Sequence, residues 1–131
     1  MSWKFRCEWK DNLPLPPDYT FPRSFNYLNE KTNSFYILEK GFDYIQCGGS
    51  KERCTVELRE YEPDGSFRHY VFYDPSGSEK EAHIPMSDGG VYRKEKHCLH
   101  FRKAIKLFTS YFKGEDWPDE FALEDITNQF K

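Results

Sequence analysis

The sequence contains no long apolar run. Its mean hydropathy is −0.88 and 31% of its residues are charged. No stretch approaches the roughly 18 apolar residues that a membrane span requires. An apolar signal core is missing too: Met1-Ser2-Trp3-Lys4-Phe5-Arg6-Cys7-Glu8 scatters charge through the N-terminus. These two absences imply a cytoplasmic protein with no membrane partner. Cysteine is sparse, with Cys7, Cys47, Cys54 and Cys98 the only four. Without a signal they are expected to be reduced thiols. Cys47 and Cys54 flank a short turn and are expected as small buried side chains on neighbouring strands.

Motifs that carry chemistry are also absent. No Ser or Cys sits in a nucleophile elbow, and no carboxylate-rich metal loop occurs. Gly48-Gly49-Ser50 leads into a strand pattern rather than a helix, so no helix N-terminus is available there for a phosphate. His97-Cys98-Leu99-His100 resembles half a metal site but has no second half at a zinc-ligand spacing. His69 lies mid-strand among aromatics, and His83 alternates with Ala82 and Ile84, facing water. The expectation is a protein that is not an enzyme and holds no cofactor and no metal.

What the chain has in abundance is aromatic residues: 18%, with 12 Phe, 9 Tyr and 3 Trp. A length of 131 residues suits one domain, 1–131, with a core built from Phe and Tyr. Its organising stretch is a hairpin from Arg53 to Asp74. Cys54, Val56 and Leu58 share one side; Thr55, Glu57 and Arg59 share the other, which is expected to be wet. Pro63-Asp64-Gly65 supplies the turn, and Phe67 to Tyr73 returns as an aromatic, β-branched strand. This hairpin is expected at the sheet centre.

Residues 1–10 read as a first strand. Leu13 to Pro22 carries four prolines, which exclude helix and central strand and imply an extended surface segment. Ser34 to Gln46 reads as another hairpin, with Phe42 to Cys47 returning and Gly48-Gly49-Ser50 breaking the pattern. Ala82, Ile84 and Met86 alternate as a strand, and Val91 to Lys94 forms a last short one. The period then changes. Phe101, Ala104, Ile105, Phe108, Tyr111 and Phe112 make one helical stripe over residues 98–113, with Gly114 as the stop. Phe121 to Phe130 docks as an edge strand or short helix. The predicted class is α+β: an antiparallel sheet of about five to seven strands with one major helix in the C-terminal half.

Charge is distributed unevenly. Arg93 to Lys113 holds seven basic residues and one acid; Glu115 to Lys131 holds six acids and one base. The helix aromatics belong to the core stripe and are not free to stack bases, so nucleic acid is not an expected partner.

Several stretches resemble the immunity proteins of bacterial polymorphic toxin and contact-dependent growth inhibition systems. These are Tyr44 to Ser50, Thr55 to Arg59, Phe108 to Gly114 and the tail Glu124 to Phe130. The resemblance covers roughly residues 35 to 130. Where the family's tail carries a Trp just before its acidic pair, this chain has Leu123. The resemblance implies a small cytoplasmic protein that binds one cognate toxin domain, without chemistry of its own. Many such toxins are nucleases with basic clefts, and an inhibitor of one would present carboxylates. The candidate partner-binding residues are therefore Glu115, Asp116, Asp119, Glu120, Glu124 and Asp125. The alternative is a small-ligand-binding or enzymatic α+β domain with an aromatic-lined pocket.

Overall fold

The segments with period-two patterning pair into one antiparallel sheet. In the structure, a computed structural model that describes residues 2–130, its strands are β1 (Trp3–Cys7), β2 (Phe35–Lys40), β3 (Asp43–Gly49), β4 (Cys54–Tyr61), β5 (Phe67–Tyr73) and β8 (Ala122–Asp125). They lie in the order β1-β2-β3-β4-β5-β8, each antiparallel to its neighbours. The remaining strands, β6 (Glu81–Ile84) and β7 (Val91–Lys94), form a separate two-stranded sheet. One long helix, α2 (Phe101–Lys113), follows them. The α+β class, the strand number and the late major helix agree with the pattern. Met1 of the expected first strand and Lys131 of the acidic block lie outside the described residues.

Register explains the core. Phe5, Leu38, Ile45 and Leu58 align across β1 to β4, and Cys7, Tyr36, Cys47 and Val56 form the adjacent row. Against these rows α2 buries Ala104, Leu107 and Phe108. The Phe108 ring lies 4.9 Å from Phe25, 5.7 Å from Phe21 and 6.5 Å from Phe5, centroid to centroid and edge-on in each case. Edge-to-face packing suits the ring quadrupoles, and Phe5 stacks on Tyr36 at 5.6 Å in the same core. The helix is fixed at both ends. His100 Nδ1 accepts from the Arg102 backbone N–H, and Gly114 takes φ +68°.

The proline segment differs from expectation at its last residue. Pro22 opens a one-turn helix, α1 (Pro22–Phe25). Proline fits the first helical position, where no backbone donor is needed. That turn buries Phe25 and Ser24, and the Ser24 carbonyl accepts from the Tyr36 hydroxyl inside the core.

The polar face of the central hairpin is not wet. Thr55 and Glu57 are only 3% and 5% exposed. The β6–β7 hairpin folds over this face, and a 3-10 turn, Thr127–Phe130, closes it from the other side. Nor do Gly48 and Gly49 break the pattern: both continue β3. A Cβ on Gly48 would sit 2.5 Å from Met86 Sδ, so the Met86 side chain packs into the space that glycine leaves. The tail is both of the forms expected for it, with β8 pairing along β5 before the 3-10 turn.

Candidate functional site

The acidic block begins where α2 stops. Gly114 and Glu115 donate their backbone N–H groups to the Tyr111 and Ser110 carbonyls, which turns the chain away from the helix axis. Trp117 then anchors the segment. Its ring stacks on Tyr111 at 6.1 Å and meets Phe72 edge-on at 4.9 Å. Glu115, Asp116 and Asp119 are exposed around this anchor, and no ion pair engages them among the described residues.

The other three predicted carboxylates have partners within the protein. Glu120 pairs with Lys103 and, at 3.0 Å, with Lys106, so the acidic block folds back on the basic back of α2. Those lysines hold its carboxyl below the usual range. Glu124 accepts from His97 Nε2 at 3.0 Å and lies 3.6 Å from Lys96. Asp125 caps the final turn through Thr127 and pairs with Arg68 at 3.4 Å. The basic run and the acidic run thus neutralise each other in part. What stays uncompensated is the stretch Glu115 to Asp119.

A feature the sequence reading missed lies at the end of the sheet. Phe42, at the β2–β3 turn, is 85% exposed and meets Tyr61 edge-on at 6.2 Å. Asp43 and Glu62 share a surface hollow with the pair, as does Lys40. Asp43 accepts from the Tyr61 backbone N–H at 2.7 Å. Glu60 is pushed above the ordinary carboxylate range by partial burial and by the like charges of Asp43 and Glu62. The Tyr111 hydroxyl, buried without a hydrogen-bond partner, is raised by burial and by the charges of Asp43 and Glu60. Tyr111 is also the residue on which Trp117 stacks. The signal available in the sequence was Lys40-Gly41-Phe42, an aromatic placed at a turn where a polar residue is usual. Patterning alone counts Phe42 into the returning strand, whereas β3 begins at Asp43.

The four histidines are the groups best suited to proton transfer near neutral pH. His69 is 1% exposed. Arg59 Nε–H donates to its Nδ1 at 3.0 Å, and guanidinium can only donate. The proton is therefore on Nε2, which donates to Glu57 at 2.6 Å. Burial would push the Glu57 carboxyl up, but His69 and Arg93 outweigh it and hold it below the usual range. His97 is tied in the same way, accepting from the Lys94 backbone N–H and donating to Glu124. His100 caps α2, and exposed His83 donates to the Gly89 carbonyl at 2.8 Å. Neither buried imidazole keeps a ring nitrogen for a substrate.

His97, Cys98 and His100 do not converge. Among the described residues no group of three or more His, Cys, Asp or Glu is arranged to hold a metal ion. The four cysteines are free thiols, with Cys7, Cys47 and Cys54 buried. Among the described residues no helix is long and apolar enough to cross a membrane. Comparison of the chain with protein-family models, curated proteins and solved structures gives no match.

Proposed function

We propose that the protein binds and neutralises a cognate toxin domain in the bacterial cytoplasm, as an immunity protein does, without chemistry of its own. One observation carries the reading: Glu115, Asp116 and Asp119 are exposed and have no ion-pair partner among the described residues, in the segment held by half-buried Trp117. A second acidic group, Asp43 and Glu62, shares a surface hollow with exposed Phe42 and Tyr61. Like charges held close together repel. A basic partner relieves that repulsion, whereas a solvated loop gains nothing from it. Exposed aromatics such as Phe42 and Tyr61 are also among the residues enriched at protein interfaces. Such a face suits the phosphate-binding cleft of a nuclease toxin, steering its approach and covering it. The engaged ring nitrogens of His69 and His97 support a role in binding rather than catalysis.

The test is coexpression with the C-terminal domain encoded by the gene immediately upstream. The reading expects restored growth and a complex that survives gel filtration. Unrelieved toxicity with no complex contradicts it.

A further inference from the structure

The hollow at the β2–β3 turn has a volume of about 440 Å3, and Phe42, Tyr61, Asp43, Glu62 and Lys40 line it. Phe42 is 85% exposed and Tyr61 37%, and their rings meet edge-on at 6.2 Å. This pair begins a row of rings. Tyr61 lies 5.6 Å from Phe67, and Phe67 lies 6.2 Å from Phe130. At the far end of the row the protein supplies its own cation. The Arg59 guanidinium carbon is 3.9 Å from the Phe67 ring centroid and 4.7 Å from that of Phe130. At the Phe42 end, no cation of the described residues lies over the ring. Lys40 lines the hollow but holds its ammonium 5.5 Å from the Trp3 ring on β1. Among the described residues no ion pair engages Asp43 or Glu62. Their charge is felt next door, where burial and the like charges of Asp43 and Glu62 push the Glu60 carboxyl up.

We infer that this hollow receives an arginine side chain of the protein partner, its guanidinium against the Phe42 and Tyr61 rings and its charge toward Asp43 and Glu62. The inference rests on the protein-binding role proposed above. Charge complementarity sets the sign of the occupant. Two carboxylates against one ammonium leave the lining net negative, which attracts a cation and repels an anion. The exposed rings then select the kind of cation. A guanidinium is planar and weakly hydrated and stacks on aromatic faces, whereas an ammonium is compact and strongly hydrated. A guanidinium can also meet a carboxylate through two hydrogen bonds at once. Arg59 on Phe67 shows that pairing of guanidinium and ring within the same row. Exposure decides between a free molecule and a chain. Sites for free small molecules bury most of the ligand. Over a ring that is 85% exposed, a free ligand stays largely in water. A side chain carried on a docked partner is held there by contacts made elsewhere.

The test uses isotope-labelled protein alone, titrated with the blocked tripeptide N-acetyl-Gly-Arg-Gly-amide and followed by NMR. The largest shifts are expected at Phe42, Tyr61 and Glu62, with millimolar affinity. The same peptide with citrulline in place of arginine keeps the shape and loses the charge, and should bind about threefold more weakly. Phe42→Ala removes an exposed ring, so the fold should survive with an unchanged melting curve. Its affinity for the probe should fall about threefold, the worth of one exposed cation–π contact. Lys40→Gln removes the competing charge and should bind the probe about twofold more tightly. Absence of shifts to the solubility limit, largest shifts at Glu115 to Asp119 instead of the hollow, equal binding of the citrulline peptide, equal affinity in Phe42→Ala, or weaker binding in Lys40→Gln overturns the inference. The toxin plays no part in this titration. A chain that protects cells yet ignores the probe loses only the arginine site, and a chain that binds the probe yet fails to protect loses only the toxin reading.

Discussion

Phe108→Ala tests the architecture at its most enclosed point. The ring is fully buried and contacts Phe5, Phe21 and Phe25 edge-on, on the face where α2 meets the sheet. Truncation forfeits the transfer energy of the ring and leaves a cavity that three other aromatics cannot readily collapse into. Together these cost about 3–5 kcal/mol. Against a total stability of about 5–15 kcal/mol, the variant is folded but marginal. With a urea slope of about 2 kcal/mol/M, the midpoint falls by about 2 M. Phe42→Ala is the control, since its ring is 85% exposed and its loss should stay within about 0.5 kcal/mol. Urea melts followed by circular dichroism measure both. A loss under about 1 kcal/mol at Phe108, or equal losses at the two positions, would refute the placement of α2 on the sheet.

Two further outcomes are expected. Alkylation under denaturing, non-reducing conditions should label all four cysteines, whereas the native protein should label first at half-buried Cys98; two labels on the denatured chain would mean a disulfide. The folded carboxyl of Glu57 is depressed, so its contribution is present above the unfolded value of about 4.3 and is lost as pH falls through the folded one. Glu57→Gln should cost about 3 kcal/mol at neutral pH by leaving Arg93 uncompensated, and this difference should shrink as pH drops below about 4. A difference that persists unchanged in acid would show that shape, not charge, matters at this position.

The sheet was legible because its evidence is local. Alternation in Cys54 to Arg59, the short apolar run Phe35 to Leu38, and the turn at Pro63-Asp64-Gly65 report strands without knowledge of the rest of the chain. The α2 stripe and the Gly114 stop are legible for the same reason. What alternation cannot report is whether a polar face is later covered. Thr55 and Glu57 read as wet because nothing local reveals that residues 81–94 fold across them. Gly48 misled in the same way: it reads as a breaker until Met86 is seen to occupy its missing side chain. Of the six predicted carboxylates, composition alone could not separate Glu120, Glu124 and Asp125, which have internal partners, from Glu115, Asp116 and Asp119. That separation depends on where Lys103, Lys106, His97 and Thr127 fall in space. Phe42 was missed because a strand pattern and a turn overlap there by one residue.

The most direct test of the toxin reading is the rate at which the protein associates with its cognate toxin domain, measured by stopped flow across a salt series. The triple variant Glu115→Gln, Asp116→Asn, Asp119→Asn keeps size and removes charge, and no core contact depends on these exposed residues. Electrostatic steering is an ionic-strength effect, strong at low salt and screened over about 10 Å at 0.1 M. The account predicts that the variant folds normally, associates more slowly at low salt, and shows a flatter salt dependence, while the two proteins converge at high salt. A variant that associates as fast as the unaltered protein at low salt, with the same salt slope, would contradict it.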